Sequence, residues 1–136
     1  MDPRVRDVLR RAHFEAHPGR FCIVGLPATA ASTAISLGPW SAAIQTGEEV
    51  TFYVPEADWE RAAPRFPGAQ VSRGWRLLTM HAKVPWEQHG VLAALTAALA
   101  KERIPCAALC SFSTDHLLVP EAKVERALEA LRALRG

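Results

Sequence analysis

The sequence predicts an α+β fold in which antiparallel strands carry helices on one face and one strand-to-helix unit occurs twice. The first observation is a repeat: V-P-E-A, followed shortly by E-R-A, occurs at 54–62 and again, without a gap, at 119–127. The second is the spacing of apolar residues, which changes between the period of two typical of strands and the three- and four-residue spacing of helices. The third is a proline after each repeated strand, Pro55 and Pro120, where a helix can begin.

Composition limits the classes of protein to consider. The chain has 136 residues, enough for one domain or two very small ones, and is 49% hydrophobic and 22% charged, as in ordinary globular proteins. Its net charge of +2 is too small to indicate a nucleic-acid or anionic membrane partner. No apolar run reaches the roughly 18 residues of a membrane span, and the charged N-terminus lacks the apolar segment of a secretory signal. We therefore expect a cytoplasmic protein without a membrane or nucleic-acid partner.

The cysteines do not suggest a disulfide framework or a metal site. There are three, an odd number, and they lack the close Cys or His spacing of metal ligands. Cys106 and Cys110 fall on one face of a predicted strand, where the simplest interpretation is a small buried apolar residue. No cofactor and no metal are predicted.

The first half of the chain begins with a helix predicted at 2–16, because Asp2 can cap it and Pro3 suits its first turn. An apolar stripe supports it, and Pro18 and Gly19 end it. The elements that follow are strands at 20–26, 40–45 and 49–54 and a short helix at 56–63. Residues 27–39 are small and polar, which predicts a loop or one weak helical turn where a helix would be expected.

The second half has stronger periodicity. A strand at 74–84 places Leu78, Met80 and Ala82 on one face. A helix is predicted at 86–104, and its buried stripe comprises Val91, Leu92, Leu95, Ala98 and Leu99. Two further strands at 106–113 and 116–119 are joined by a tight turn at Thr114 and Asp115, and a final helix covers 121–135.

The order β-α-β-β-α in the second half is that of a ferredoxin-like unit without its last strand. The first half repeats this order with a degenerate first helix. The sequence therefore predicts a tandem repeat, with an N-terminal helix and degenerate unit at 1–72 and a second unit at 73–136. An open sheet edge invites pairing, so we expect the missing edge strand to come from the other half or from a partner chain.

A small-molecule site is predicted where the two copies differ most. The second copy ends its strand in Cys110-Ser-Phe-Ser-Thr-Asp115, and hydroxyls with a carboxylate can bind the ammonium and polar groups of a zwitterion. The helix at 86–104 would begin in the same region, with Gly90 in its first turn and exposed N–H groups at 89–92 for a carboxylate. The alternative is that Ser111 to Asp115 form an ordinary polar turn and that Gly90 is a packing glycine.

Residues 74–131 resemble the ACT-domain superfamily, and in particular a CASTOR/ACT-like group of small tandem-ACT proteins. The shared features are a Gly-Trp-Arg strand start, a Gly-Val-Leu-Ala helix start, and the Ser-Phe-Ser-Thr-Asp strand end before an apolar strand and a helix. The resemblance extends more loosely to F-C-I-V-G-L-P-A and A-A-I-Q-T-G-E-E-V-T-F-Y-V-P-E in the first half.

The resemblance implies a tandem ACT fold, a homodimer and a non-catalytic, regulatory role in which a small-molecule effector, usually an amino acid, bridges two ACT units. The ligand-binding positions that it implies are His89, Gly90, Val91, Ser111, Phe112, Ser113, Thr114 and Asp115. His89 and His116 depart from the group's pattern, in which apolar or hydroxyl and aromatic residues are expected.

Other functions remain open at this stage. A dimerisation scaffold without a ligand would use the tryptophans as interface anchors and the arginine-rich face of the first helix for a partner. An enzyme would use His81, His89, His116 or the cysteines, although no nucleophile–base pattern supports it. A metal site would use the same three histidines, although they lack a ligand spacing. An RNA-binding module shares the strand order, but only Phe112 and Trp75 could stack on bases.

Overall fold

The computed structural model describes residues 1–30 and 38–136. Its elements in chain order are α1 (Pro3–Arg11), β1 (His13–Ala16), β2 (Phe21–Pro27), β3 (Ala42–Gln45), β4 (Glu49–Pro55), α2 (Glu56–Ala62), β5 (Gln70–His81), α3 (Val91–Lys101), β6 (Ala107–Cys110), β7 (Asp115–Pro120) and α4 (Val124–Ala133). The loop predicted at 27–39 lies largely outside the described residues.

The chain divides into two compact units, one of which interrupts the other in sequence. Gly19–Trp75 form the inserted unit, and Met1–Pro18 together with Arg76–Gly136 form the terminal unit. The sequence predicts a division of the chain between residues 72 and 73 into two repeated units. That boundary describes the repeat and not the compact units, and it stays a prediction. By compactness, the first helix belongs with the second half of the chain.

The inserted unit is an antiparallel sheet that carries α2. Its strand order is β3-β4-β2 followed by the first part of β5. Alternate residues of β4 are buried, as expected for a strand with one face on a core. Its buried apolar residues are Cys22, Val24, Leu26, Val50, Phe52, Val54, Trp59 and Ala62.

The terminal unit has the strand order β1-β5-β7-β6, in which β5 contributes its last residues. Helices α1, α3 and α4 share one core with one face of this sheet. That core contains Val5, Leu9, Ala12, Phe14, Leu78, Met80, Val91, Leu95, Leu99, Ile104, Leu117, Val119, Val124, Ala127, Leu128 and Leu131. The α+β, antiparallel, ferredoxin-like fold predicted from the sequence is therefore confirmed.

Strand β1 corrects the helix predicted at 2–16. The helix ends at Arg11, and Ala12 is already extended, with φ −71° and ψ 142°. Residues His13–Ala16 pair antiparallel with β5, so that Phe14 lies opposite Met80 and is buried in the core. The missing edge strand of the second unit thus comes from the N-terminal segment of the same chain.

The beginning of α3 corrects the helix predicted at 86–104. Pro85 to Gln88 form a turn in which the Gln88 N–H donates to the Pro85 carbonyl at 2.9 Å. Gly90 is the N-cap, with φ +95°, a backbone conformation that favours glycine. A Cβ placed at this position would lie 3.0 Å from Cγ2 of Val5. Packing of α1 against the start of α3 therefore accounts for this glycine.

Other boundaries differ by a few residues. Strand β5 begins earlier and ends earlier than the predicted 74–84, and β6 is shorter than the predicted 106–113. The turn that joins β6 to β7 lies at 111–114, not at Thr114 and Asp115. The final helix is preceded by a 3-10 turn at Glu121–Lys123 and begins at Val124.

Candidate functional site

A pocket of about 150 Å³ opens on the terminal unit, where four segments of the chain meet. The end of β5 and the segment after it contribute Met80, Ala82 and Val84 among others. The start of α3 contributes Val91 and Leu92, and the turn after β6 contributes 110–115. The pocket thus combines an apolar wall with a rim of hydroxyls and one carboxylate, an arrangement typical of sites for small molecules.

Six of the eight predicted ligand-binding residues line this pocket, namely Val91, Ser111, Phe112, Ser113, Thr114 and Asp115. His89 and Gly90 do not line it. His89 is exposed, and its carbonyl accepts a hydrogen bond from the Gln88 side chain at 2.7 Å. The structure therefore brings the two predicted segments together, while a ligand-binding role for these residues stays a prediction.

The turn after β6 is held by its own hydrogen bonds. The Ser111 N–H donates to the Thr114 carbonyl at 2.9 Å, and the Ser111 hydroxyl donates to the same oxygen at 3.1 Å. The two hydroxyl oxygens, Oγ of Ser111 and Oγ1 of Thr114, lie 2.7 Å apart. These bonds hold both hydroxyl groups at the rim of the pocket.

A buried histidine supports the turn from below. Nε2 of His116 lies 3.0 Å from both Oγ of Ser111 and Oγ1 of Thr114. Its other nitrogen, Nδ1, lies 2.8 Å from Oγ1 of Thr79, which in turn lies 2.8 Å from Nε2 of His17. A chain of hydrogen bonds therefore links His17, just after β1, through β5 and β7 to the rim of the pocket.

The environment of His116 disfavours its charged form. Burial lowers the pKa of the His116 imidazole below its ordinary value, and the positive charge of His17 acts in the same direction. Asp115 opposes this shift, but burial is the larger effect. The neutral ring can donate from one nitrogen and accept at the other, so that it can serve both Thr79 and the turn.

The roles of His17 and Thr79 have no local signal in the sequence. Position 17 and its partner Thr79 on β5 are 62 residues apart in the sequence, and the helix predicted at 2–16 excludes strand pairing of the residues just before it. Only recognition of β1 as a strand would have placed His17 beside Thr79.

The cysteines are free thiols in differing environments, and only Cys22 is fully buried. Burial, with help from Glu56, raises the pKa of Cys22 to about 12. Cys110 is exposed at the pocket, which corrects the expectation of a buried apolar residue there. Burial of its sulfur and a hydrogen bond with Asp115 raise the pKa of the Cys110 thiol, so this group is neutral near neutral pH.

The start of α3, where Val91 and Leu92 line the pocket, has backbone N–H groups outside the helical hydrogen bonds. The first helical bond runs from the Ala94 N–H to the Gly90 carbonyl at 3.0 Å, so the N–H groups of Val91 and Leu92 precede the helical ladder. Among the described residues that line the pocket, Asp115 is the only charged one. The pocket therefore presents a negative carboxylate on one side and the positive end of a helix on another.

Two of the histidines considered for a metal site or an enzyme, His81 and His116, have hydrogen-bond partners of their own. His81 forms a 2.7 Å hydrogen bond with Glu15 and stacks on His13, with ring centroids 6.1 Å apart. Over residues 1–30 and 38–136, no group of three or more His, Cys, Asp or Glu side chains has an arrangement that could hold a metal ion. In the same residues, no helix has the length and apolar character needed to cross a membrane.

Several solved structures share this fold. A protein from Agrobacterium tumefaciens is 20% identical, with 92% of this chain and 90% of that chain covered and a TM-score of 0.73. A protein from Vibrio cholerae, described as of unknown function and a possible transport protein, is 22% identical, with 98% and 97% covered and a TM-score of 0.79. The regulatory subunit of aspartate kinase from Thermus thermophilus is 12% identical, with 90% and 97% covered and a TM-score of 0.66.

At these identities the structural matches establish the fold alone, and no curated protein matches the sequence. The model of the ACT domain family matches residues 70–133, which include every element from β5 to α4. This segment carries the pocket and the motifs on which the resemblance was based. Over residues 70–133, the family match confirms the resemblance to the ACT domain that the motifs at 74–131 predict.

Proposed function

We propose that this chain is a non-catalytic regulatory protein that binds an amino acid in the pocket of the terminal unit. The observation that carries the proposal is the pairing of Asp115 with the N-terminus of α3 across one pocket. A zwitterion has a positive and a negative group close together, and these two features attract groups of opposite charge. The ACT family match and the likeness to regulatory subunits of aspartate kinase support a regulatory role.

In this proposal the ammonium group lies near Asp115 and the hydroxyls of Ser111 and Thr114, and the carboxylate lies near the N–H groups of Val91 and Leu92. The network through His116 holds the hydroxyls in position, which lowers the entropy lost on binding.

We further propose that the chain is a cytoplasmic homodimer and that both of its units are ACT-like. Pro55 and Pro120, which end the repeated strand in each copy and precede a helical turn, support the tandem arrangement because their backbone angles agree within a few degrees.

The experiment is a thermal-shift screen of the purified chain against the standard amino acids at millimolar concentration. A ligand that binds only the folded state raises the melting temperature by mass action. We expect at least one amino acid to raise it in the wild type and not in Asp115→Ala. Asp7→Ala is a matched control, because Asp7 is an exposed carboxylate of the same unit on α1 and is paired with Arg11.

The alternative is a scaffold that dimerises without a ligand. An absence of any shift with all amino acids would contradict the proposal and favour the scaffold. An equal shift in the wild type and in Asp115→Ala would show that the ligand lies elsewhere. Sedimentation of each sample distinguishes a shift caused by binding from one caused by a change in subunit association.

A further inference from the structure

The mouth of the pocket carries exposed aromatic side chains. Trp86 is 65% exposed and Phe112 is 84% exposed, and their ring centroids lie 5.7 Å apart. Trp86 belongs to the segment between β5 and α3, whereas Phe112 belongs to the turn after β6, so two separate segments converge on this pair. Large apolar side chains usually contribute to the hydrophobic core, but these two rings are exposed and do not.

Exposed apolar side chains are concentrated at this site. Among the described residues, the large hydrophobic side chains that are exposed are Met1, Ile44, Trp86, Leu92 and Phe112. Trp86, Leu92 and Phe112 all line the pocket. The wall behind them is also apolar, with Met80, Ala82 and Val84. A concentration of this kind marks a surface that is covered by a ligand or a partner.

The charges at the pocket restrict the ligand's side chain. The carboxylate of Asp115 is the sole charged group among the described lining residues, and the proposed function already assigns it to the ammonium group. An acidic side chain would meet this like charge without a cation to offset it. A basic side chain would lie against Met80, Val84 and the two rings without a second carboxylate, and desolvation of an unpaired charge is unfavourable.

We infer that the effector is an amino acid with a neutral apolar side chain, aromatic or large aliphatic, and that Trp86 and Phe112 determine this specificity. The inference rests on the proposed function and names the class of ligand for the same pocket. The two rings close over the side chain of the ligand, which is buried between them and the wall formed by β5 and the segment after it. Contacts between aromatic rings stabilise a complex by more than the free energy expected from the apolar area that they bury.

The experiment is calorimetric titration of the full chain with L-phenylalanine, L-leucine, L-serine, L-aspartate and L-lysine. We expect phenylalanine or leucine to bind at least about tenfold more tightly than the other three, because only they bury apolar area on the wall. Phe112→Ala and Trp86→Ala should each weaken that binding by roughly tenfold, and Phe112→Leu should retain most of it. Ile44→Ala is the matched control, since Ile44 is an exposed apolar residue of the inserted unit, and it should bind as the wild type does.

The outcomes separate the inference from the proposed function. Tighter binding of serine, aspartate or lysine would overturn the inference and leave the amino-acid site standing. Absence of binding by every amino acid would overturn both. Unchanged affinity in the Phe112→Ala and Trp86→Ala variants would show that the two rings do not contact the ligand and would overturn the inference. A change in sedimentation without a change in affinity would assign the rings to a contact between subunits and overturn the inference. Circular dichroism checks that each variant folds.

Discussion

At the scale of single residues, His116 connects the interior of the terminal unit to the rim of the pocket. It is 8% exposed, and each ring nitrogen is within 3.0 Å of a hydroxyl oxygen. A charged imidazole in this place would carry a proton on both nitrogens and could no longer accept a hydrogen bond. Protonation therefore removes the acceptor of one hydroxyl group, on Thr79 or on the turn, depending on which ring nitrogen accepts in the neutral form.

This residue gives a prediction for the dependence of stability on pH. The folded-state pKa of His116 is lowered below its unfolded value, so unfolding takes up a proton in the window between the two pKa values. The stabilising contribution is complete above about pH 6.5 and is lost as the pH falls through the folded-state pKa. We expect the urea midpoint to fall between about pH 7 and about pH 5, and to fall less steeply in His116→Asn.

The matched control for this measurement is the same substitution at His89, which is exposed and outside the hydrogen-bond chain. His89→Asn should keep the slope of the wild type. Glu15, whose pKa is lowered first by its hydrogen bond with His81, acts below about pH 4.5, outside this window. If His116→Asn keeps the full slope, another group in the folded protein is responsible for it.

At the scale of elements, β1 adds a strand to the part of the sheet that lies within the ACT family match. The match covers 70–133, but the strand beside β5 is His13–Ala16 from the N-terminal segment. Helix α1 supplies Val5 and Leu9 to the same core, and β1 supplies Phe14. Without α1 and β1, the matched segment would expose the core residues that they cover and the edge of β5 that pairs with β1.

We therefore expect a chain of residues 70–136 not to fold alone and to recover a cooperative unfolding transition when a peptide of residues 1–18 is added. The Phe14→Ala peptide should bind far more weakly, because loss of a buried Phe costs about 3–5 kcal/mol. The Glu15→Ala peptide is the matched control, because the neighbouring side chain on the strand points to the other face. Circular dichroism with urea follows the transition, and a cooperative transition of 70–136 without peptide would contradict the prediction.

The elements that were predicted correctly have local signals, and the errors occur where distant contacts decide. The proline after each repeated strand and the apolar stripe with Leu95 and Leu99 are visible within a few residues, and the corresponding strands and helix are present. Strand β1 was predicted as the end of a helix because its pairing with β5 is encoded far along the chain. Secondary structure that depends on such a partner cannot be inferred from local propensity.

In the candidate site as well, features with a local signal in the sequence are predicted, and features that depend on distant contacts are not. The hydroxyls and carboxylate at 111–115 were identified because their composition differs from the first repeat. Trp86 was assigned to a helix, whereas it lies in the segment before Gly90, and its approach to Phe112 depends on the packed unit. The support of the turn by Thr79 and His17 likewise depends on strand pairing, which only the structure reveals.

At the scale of the whole molecule, residues 1–30 and 38–136 form a hydrophobic core in each unit, and the core of the terminal unit is built from both ends of the sequence. The pocket lies on this discontinuous unit. A ligand that binds there stabilises the folded unit against the openings that expose the pocket. Segments that share the core should gain protection together, even where they are far from the ligand.

This leads to a prediction for hydrogen exchange with the apolar amino acid that binds most tightly. At about 100 times its dissociation constant, the ligand adds about 2.7 kcal/mol, or roughly a 100-fold slowing of exchange through openings that release it. We expect this slowing in α1 and β1 as well as in α3, β6 and β7, because all of them depend on one core. Slowing confined to the pocket segments 82–92 and 110–116 would contradict cooperative opening of the terminal unit. An equal effect in Gly19–Trp75 would instead show that the inserted unit opens with it.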